Sequence, residues 1–270
     1  MRAAACTAGL LAFRPLPAQT IKFTTLTREI IEQRLDGFAT TNARREAKLV
    51  ELFAAAGCSG AALTTQKVKG QNTPNLICTA SGGTDSAIIA GAHFDLTGGG
   101  DGVADNWSGA ALLPSLYQSL AGEKRRHTFI YIAFTGEEKG LLGSRFYVKQ
   151  MTEEQSQRVR AMINFDTLGL SSTKVWLSHA DRSLAASLAP VAAAMKLPVA
   201  AVDVDRVGTS DSESFRLRRI PSITIHSVTQ ETLPILHSTR DRLDRIRMDE
   251  YYDTYRLMAA WCAYLDQKLD

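Results

Sequence analysis

Seven side chains able to bind a metal or to move a proton follow the predicted strands of this chain. They are His93, Asp95, Asp105, Glu137, Glu138, Asp166 and His237. Because the carboxyl ends of the strands in an open α/β sheet meet at one crevice, we expect these side chains to lie together. Imidazole nitrogens and carboxylate oxygens are ligands that suit zinc. Two metal ions about 3.5–4 Å apart, bridged by one carboxylate, would form a hydrolytic site.

The first pair, His93 and Asp95, follows the apolar run 87–92. Side chains two positions apart in extended backbone share a face, so the carboxylate of Asp95 can orient the imidazole of His93. Asp105 lies beyond a glycine-rich turn, residues 98–102, which can bring it back toward His93. His93 taken alone is more typical of a polar loop without a ligand role. The accompanying carboxylates and the second imidazole are what favour a metal site.

The elements that must position these side chains alternate along the chain. Apolar runs predict strands at 61–68, 75–80, 87–93, 127–134, 159–165, 174–178, 199–204 and 220–226. Helical periodicity predicts helices within 24–57, with a break near residue 40, and at 108–121, 142–151, 181–196 and 248–267. Strands that alternate with helices indicate an α/β fold with a mainly parallel or mixed sheet covered on both sides. No linker or repeat divides the chain, which we interpret as one domain.

The composition is typical of a single large folded domain. The chain has 270 residues, 45% of them apolar, which is enough to bury a full core. Its net charge of +3 comes from scattered Lys and Arg residues, so no nucleic-acid partner is expected. No stretch approaches the roughly 20 apolar residues of a membrane span. Cys58 and Cys78 are either a disulfide or two buried thiols, and Cys262 lies on an apolar helical face.

The first 18 residues are typical of a secretory signal peptide. One positive charge precedes a short apolar run, and the small residue Ala18 precedes Gln19. Arg14 interrupts the apolar run, so a disordered start or a misassigned initiation codon is the alternative. We expect a signal peptide at 1–18, a folded domain at 19–270, and a secreted or periplasmic location.

Five short motifs resemble, in order, those of the secreted di-zinc aminopeptidases, which are relatives of the glutaminyl cyclases. They are Ala92-His93-Phe94-Asp95, Asp105-Asn106-x-Ser108-Gly109, Glu137-Glu138-x-Gly140-Leu141-x-Gly143-Ser144, Asn164-x-Asp166-x-x-Gly169 and His237-Ser238-x-x-Asp241. The resemblance covers roughly residues 75 to 245. It implies that residues 19–270 are a zinc exopeptidase catalytic domain with a three-layer α/β/α fold. The central sheet would be mixed and mainly parallel, as in the phosphorylase/hydrolase-like folds.

The resemblance also implies a role for each position. Five side chains would be zinc ligands: His93 and Asp166 for one ion, Glu138 and His237 for the other, and Asp105 bridging both. The peptide bond between this bridging residue and Asn106 would be cis. Asp95 would orient His93, and Glu137 would be the general base for a water activated by the two metals. Adjacent glutamates suit this chemistry, because one is neutralised as a ligand while its neighbour stays free to take a proton.

The implied function is that of a zinc aminopeptidase, which removes the first residue from peptides that have a free α-amine. The expected cofactor is two zinc ions, and the expected partner is the peptide substrate. Glutaminyl cyclisation, with a single metal, is an alternative reaction, and a non-catalytic receptor-like domain of the same fold is a third reading. The paired glutamates favour hydrolysis, and the presence of all five ligands with the base disfavours the receptor. The substrate-binding residues, the preferred side chain and the oligomeric state are not predicted.

Some positions depart from the family pattern. Leu236 precedes the closing histidine, where several relatives carry an aromatic residue. Ser212 follows Ser210 and Asp211, where many relatives carry a histidine. Trp107 is equally consistent with a floor for the substrate pocket and with a cover over the sheet edge. We interpret His226 as a packing residue beside the site rather than a ligand.

Overall fold

The computed structural model describes residues 20–205 and 208–270 of the chain. Within these residues eight strands form one sheet, in the order β1-β2-β4-β3-β5-β8-β6-β7. The strands are β1 (Leu63–Gln66), β2 (Asn75–Ala80), β3 (Ala87–His93), β4 (Thr128–Phe134), β5 (Val159–Phe165), β6 (Lys174–Val175), β7 (Ala200–Ala201) and β8 (Ser222–His226). The predicted signal peptide, 1–18, lies outside the described residues.

The same part of the chain forms eight α-helices. They are α1 (Arg28–Asp36), α2 (Asn42–Ala55), α3 (Ser108–Ala121), α4 (Leu142–Gln150), α5 (Glu153–Arg158), α6 (Arg182–Met195), α7 (Ser212–Arg216) and α8 (Met248–Lys268). None of these described helices is both long enough and apolar enough to cross a bilayer.

Parallel strands occupy the middle of the sheet. β4, β3, β5 and β8 run parallel to one another, whereas the pairs β1–β2, β2–β4 and β6–β8 are antiparallel. Every residue of β3 and of β8 is buried. β3 is an almost continuous apolar run, as is usual for a strand covered on both faces. β8 instead alternates Ile with Ser222, Thr224 and His226, whose buried polar side chains are hydrogen-bonded. The predicted mixed sheet with a parallel centre is confirmed.

Helices cover both faces of the sheet. On one face, α1, α2, α3, α6 and α8 share the larger core, and Tyr255 and Trp261 of α8 are fully buried in it. On the other face, α4 and α7 contribute Val148 and Phe215 to a smaller core. Two cores on opposite sides of one sheet make three layers. The predicted single-domain α/β/α architecture is therefore confirmed.

Helix α2 begins where the break near residue 40 is predicted. Thr41 is the N-cap residue, and its hydroxyl accepts the N–H of Arg44 at 3.4 Å. The apolar side chains Leu49 and Phe53 of α2 are fully buried in the larger core. Arg45 is fully buried as well. A charged residue in this position needs an explanation, because such side chains are almost never buried without partners.

Several strands are shorter than the apolar runs predict: β1 has four residues where 61–68 is predicted, β8 begins at Ser222, and β6 and β7 are shortened most. The runs 174–178 and 199–204 contribute only β6 and β7, with two residues each. Beyond Trp176 the chain leaves the ladder, because the N–H of Ser178 donates to the Asp203 carboxylate at 2.8 Å. Local side-chain acceptors compete with strand pairing in this way, and apolar periodicity does not report them.

Cys58 and Cys78 form a disulfide, which selects one of the two alternatives left open by the sequence. It joins the turn after α2 to β2 across a sequence separation of 20 residues, and both cysteines are fully buried. In the chain-entropy model, closing a loop of about 20 residues stabilises the folded state by about 3 kcal/mol.

Reduction of this disulfide is expected to lower the free energy of unfolding by about 3 kcal/mol, because the unfolded chain regains the entropy of the open loop. Denaturant titration with and without reductant measures the difference. The double variant Cys58→Ala/Cys78→Ala is the control, since reductant should not change its stability. Equal stability of the oxidised and the fully reduced chain would contradict this expectation.

Candidate metal centre

The seven side chains singled out in the sequence lie together at the carboxyl ends of the central strands. β3, β4 and β5 lead directly to four of them, His93, Glu137, Glu138 and Asp166. The connection from β3 to α3 supplies Asp95 and Asp105, and the loop after β8 supplies His237. As predicted, the ends of these separate strands converge on one site.

Asp105 lies between the two histidines. Its Oδ1 is 3.2 Å from Nε2 of His93, and its Oδ2 is 3.1 Å from Nε2 of His237. Each carboxylate oxygen therefore faces a different imidazole, which is the arrangement that a carboxylate needs to bridge two cations. The peptide bond from Asp105 to Asn106 is cis.

Two groups of three potential donors share Asp105. One is completed by His93 and Asp166 and the other by Glu138 and His237, and within each group the donor atoms lie within 4.8 Å of one another. In the second group, Nε2 of His237 is 3.2 Å from Oε2 of Glu138. The other oxygen of this carboxylate, Oε1, is buried and has no hydrogen-bond partner among the described residues. An unpaired buried carboxylate oxygen is costly, and a cation would satisfy it.

Asp95 organises the turn that carries the paired glutamates. Its carboxylate accepts the N–H of Glu137 at 3.0 Å and that of Glu138 at 3.3 Å. Nδ1 of His93 lies 3.2 Å from the main-chain oxygen of Asp95 and 3.6 Å from its Oδ1. The nearer acceptor for this imidazole is thus the main chain of Asp95, while the side chain of Asp95 connects β3 to the glutamates after β4.

The concentration of carboxylates shifts the pKa of several groups. Burial, together with the neighbouring carboxylates, raises the pKa of Glu137 to about 10. Burial, followed by the charge of Asp105, raises the pKa of Glu138 to about 7. The hydrogen bond to Asp105 raises the pKa of His237 to about 9. Nearby positive charge favours the ionised form of a carboxyl group, so a cation bound here would oppose the shifts of both glutamates.

A polar network beside Asp166 is not predicted from the sequence. Ser210 donates its hydroxyl to Oδ2 of Asp166 and accepts Nδ2 of Asn164, both at 2.5 Å. Asp211 is fully buried, burial raises its pKa to about 7, and neither of its carboxylate oxygens has a hydrogen-bond partner among the described residues. The only signal in the sequence is the Ser210-Asp211 pair, which does not reveal that its loop returns to β5.

A cleft opens beside the donor groups. Besides the candidate ligands and Glu137, the residues that line it include Trp176, Val204, Thr224, His226, Val228 and Leu236. His226 is a packing residue, as predicted, because its Nε2 lies 2.9 Å from the main-chain oxygen of Val202. Burial lowers the pKa of His226 to about 4, so this imidazole is neutral at pH 7.

The positions that depart from the family pattern have different surroundings. Leu236 lines the cleft. Ser212 is buried, with its hydroxyl 2.7 Å from Oγ1 of Thr224. Trp107 is fully buried and donates its indole N–H to the main-chain oxygen of Leu35 at 3.0 Å. Of the two alternatives for Trp107, the pocket floor is wrong, because the indole does not line the cleft and packs in the larger core instead.

The glycine-rich turn packs directly against the loop that carries His237. A Cβ at Gly99 would lie 2.5 Å from the main-chain oxygen of His237, and one at Gly100 would lie 2.3 Å from that of Ser238. Side-chain carbon atoms do not approach main-chain oxygens so closely, so glycine is required at both positions. The turn that leads to Asp105 is thereby held against the loop that supplies the second histidine.

Gly100→Ala is expected to weaken metal binding about 10-fold or more, because its methyl group must displace the backbone next to a candidate ligand. Gly98→Ala is the matched control, since a Cβ at Gly98 meets no atom within 4 Å. Competition with a chromogenic chelator measures the zinc affinity of both variants. Equal affinities would contradict the role given to this packing.

Known proteins of similar sequence point to one family. The model of Peptidase family M28 matches residues 75–262, more than half of the chain. Leucine aminopeptidase 2 of Trichophyton rubrum is 34% identical over 100 residues, which are 37% of this chain and 20% of that protein. Leupeptin-inactivating enzyme 1 of Streptomyces exfoliatus is 29% identical over 162 residues, 59% of this chain and 37% of that protein. The chain thus spans about a fifth to two-fifths of the length of these relatives.

Solved structures share the fold. The LapA aminopeptidase of Legionella pneumophila superimposes with a TM-score of 0.74 at 20% identity, covering 94% of this chain and 79% of that one. A glutaminyl cyclase from an Acidobacteriales bacterium superimposes with a TM-score of 0.73 at 16% identity, covering 94% of this chain and 99% of that one. The resemblance implied by the five motifs is confirmed, and the chain belongs to peptidase family M28.

Proposed function

We propose that this chain is a zinc-dependent aminopeptidase that hydrolyses the first peptide bond of its substrate with two zinc ions. The observation that carries the proposal is the position of Asp105, whose two carboxylate oxygens face the two histidines. Family membership supports hydrolysis of peptides, and the name of the relative leucine aminopeptidase 2 supports the removal of amino-terminal residues.

The donor set fits zinc. His93 and Asp166 would hold one ion, Glu138 and His237 the other, and Asp105 would bridge both. Imidazole and carboxylate ligands are those that zinc prefers, and three protein ligands per ion leave a position open for water or substrate. The unpartnered Oε1 of Glu138 supports a cation beside it. When bound, the ions supply Lewis-acid polarisation of the substrate carbonyl and lower the pKa of water.

Glu137 is the proposed general base. It lines the cleft and belongs to neither of the groups that share Asp105, although it forms a third group of potential donors with His93 and Glu138. With His93 and Glu138 assigned to the two ions, the carboxylate of Glu137 would remain available for proton transfer. It takes a proton from the water that attacks the scissile carbonyl and returns that proton to the leaving amine as the C–N bond breaks. Asp95 keeps Glu137 in place by accepting its main-chain N–H.

The residues that line the cleft favour a substrate whose first side chain is apolar. Trp176, Val204, Val228 and Leu236 line the cleft, and the adjacent His226 is neutral at pH 7. A charged side chain placed against such a wall loses its hydration without gaining a partner, whereas an apolar side chain gains free energy from burial. We therefore expect faster hydrolysis of leucyl and methionyl substrates than of aspartyl or lysyl substrates.

Glutaminyl cyclisation is the second candidate reaction. It is supported by the superposition on a bacterial glutaminyl cyclase, because the fold of this chain covers 99% of the length of that enzyme. A peptide with amino-terminal glutamine separates the two reactions. Hydrolysis releases free glutamine, whereas cyclisation releases ammonia and leaves a pyroglutamyl peptide. The paired glutamates, Glu137 and Glu138, favour hydrolysis.

A secreted or periplasmic location is part of the proposal, with 1–18 as the signal peptide and 19–270 as the mature domain. The disulfide between Cys58 and Cys78 supports it, because structural disulfides persist mainly in oxidising compartments.

A panel of aminoacyl amides, free peptides and amino-acetylated peptides tests the proposed function on the zinc-loaded chain. We expect release of the first residue from substrates with a free α-amine, no cleavage of acetylated peptides, loss of activity with a chelator and recovery with zinc. Cleavage of acetylated peptides at internal bonds would reject an aminopeptidase. Ammonia released from the glutaminyl peptide without free glutamine would select the cyclase.

A further inference from the structure

Arg45 of α2 is fully buried beside the candidate metal centre. Burial lowers the pKa of its guanidinium to about 10, which leaves the group protonated at neutral pH. A buried charge is tolerated only where hydrogen bonds replace its hydration. The hydrogen-bond partners of Arg45 therefore identify the part of the molecule that this residue holds.

The guanidinium donates to main-chain carbonyls on the connection between β3 and Asp105. Nη2 donates to the carbonyls of Asp101 and Gly102, both at 2.6 Å, and Nη1 donates to that of Phe94 at 3.0 Å. The planar fork of arginine thus spans both ends of segment 94–102. Nε donates at 2.8 Å to a carbonyl in the turn before α2, which holds the side chain in place.

Two further features fit segment 94–102 to α2. Asn42, in the first turn of α2, accepts the N–H of Leu96 at 3.1 Å. Gly102 has a φ of +58°, and a Cβ there would lie 2.9 Å from Nη2 of Arg45. A side chain at this position would therefore obstruct the guanidinium, so glycine serves both the left-handed backbone and the close approach.

Asp241 holds the same connection from the opposite side. Its carboxylate accepts the N–H of Ala104 at 2.7 Å and that of Asp105 at 3.0 Å. Its main-chain oxygen accepts the N–H of Asp101 at 2.9 Å. Arg45 thus binds carbonyl groups of the connection up to Gly102, while Asp241 binds its amide groups, including the N–H of Asp105 itself.

We propose that Arg45 is a positioning residue for Asp105, and that α2 thereby sets the affinity of the metal centre. The inference rests on the proposed metal site. A carboxylate that must meet two cations tolerates little displacement, and ordering its backbone before binding removes an entropy cost from the binding step. Arg45 lies outside residues 75–262, the part matched by the family model, so the proposal extends the site to the amino-terminal helices.

The test compares Arg45→Met with the unmodified full chain. After metal removal, zinc affinity is measured by competition with a chromogenic chelator, independently of activity. We expect Arg45→Met to bind zinc about 10- to 100-fold more weakly, the usual range for the loss of a residue that supports a ligand. Arg45→Lys should give an intermediate affinity, because one ammonium keeps the charge but cannot span carbonyls at both ends of the segment.

Arg34→Met is the matched control. Arg34 of α1 is also buried, but its guanidinium donates to Ser115 at 2.9 Å and to Gln118, both on α3. Its loss removes a buried cation and its hydrogen bonds without touching segment 94–102. We expect Arg34→Met to melt at a lower temperature and to bind zinc as tightly as the unmodified chain.

Zinc affinities of Arg45→Met and Arg34→Met within two-fold of each other would overturn the proposal. If Arg45→Met does not fold, Arg45→Lys gives the result. A folded Arg45→Lys that binds zinc more weakly than Arg34→Met supports the proposal, and equal affinities of these two variants overturn it. An unmodified chain that binds no zinc would instead reject the proposed metal site.

Discussion

Glu137→Gln is expected to lower kcat by about 10²–10⁴ while leaving the zinc content unchanged. Glutamine keeps the length and the hydrogen-bonding reach of glutamate, but its amide cannot accept the proton of the attacking water. The main-chain N–H of residue 137 still donates to Asp95, so the turn after β4 keeps its conformation. Steady-state kinetics on a leucyl amide, with elemental analysis of the same sample, measures both quantities.

Glu138→Gln is the matched variant one position along the chain. Glu138 has Oε2 at 3.2 Å from Nε2 of His237, so it belongs to a donor group that shares Asp105. A neutral amide is a poorer zinc ligand than a carboxylate, and we expect Glu138→Gln to lose metal affinity. If Glu137→Gln loses its zinc while Glu138→Gln keeps it, or if the kcat of Glu137→Gln stays within a few-fold of normal, the proposed division of roles is wrong.

Asp105→Ala is expected to lose both zinc ions and, with them, all detectable activity. The reason is that one oxygen of this carboxylate faces each histidine, so both donor groups fall from three members to two. Asp105→Asn should lose less zinc than Asp105→Ala, because its single carbonyl oxygen can serve one donor group only. We expect at most one zinc ion per chain in Asp105→Asn and none at stoichiometric zinc in Asp105→Ala, measured by elemental analysis after gel filtration.

Asp101→Ala is the control for the loss of a carboxylate from the same connection. The Asp101 side chain is part of neither donor group that shares Asp105, and one of its oxygens lies 4.0 Å from Nε of Arg242. Its main-chain carbonyl, which binds Arg45, is retained in the variant. Asp101→Ala should keep two zinc ions. Full metal content in Asp105→Ala would show that this carboxylate does not bridge the two ions.

The central strands illustrate what a single sequence can predict. β3, β4 and β5 lie within the predicted apolar runs because strands that are largely buried on both faces are mostly apolar, even though β5 includes Arg160 and Asn164. The edge of the sheet was harder to predict. β6 and β7 keep only two residues each, because Ser178 donates to Asp203 instead of extending the ladder. Local polar competition of this kind has no periodic signature.

The order of strands and polar residues along the chain is enough to predict which side chains gather at the site. Residues that follow buried parallel strands must emerge at one edge of the sheet, so the order of strands and polar residues was sufficient to bring His93, Glu137 and Asp166 together. The five motifs added the family, which its model confirms over residues 75–262.

How the Asp105 side chain is held depends on contacts that form only when the chain folds. Asp105 depends on Arg45, which lies 60 positions earlier in the chain, and on Asp241, which lies 136 positions later. Both act through main-chain carbonyl and amide groups, and every residue offers such groups, so residue types could not reveal the partners. The same reason explains why Ser210 was missed as the donor to Asp166. Hydrogen bonds between distant segments exist only once the segments have been packed together.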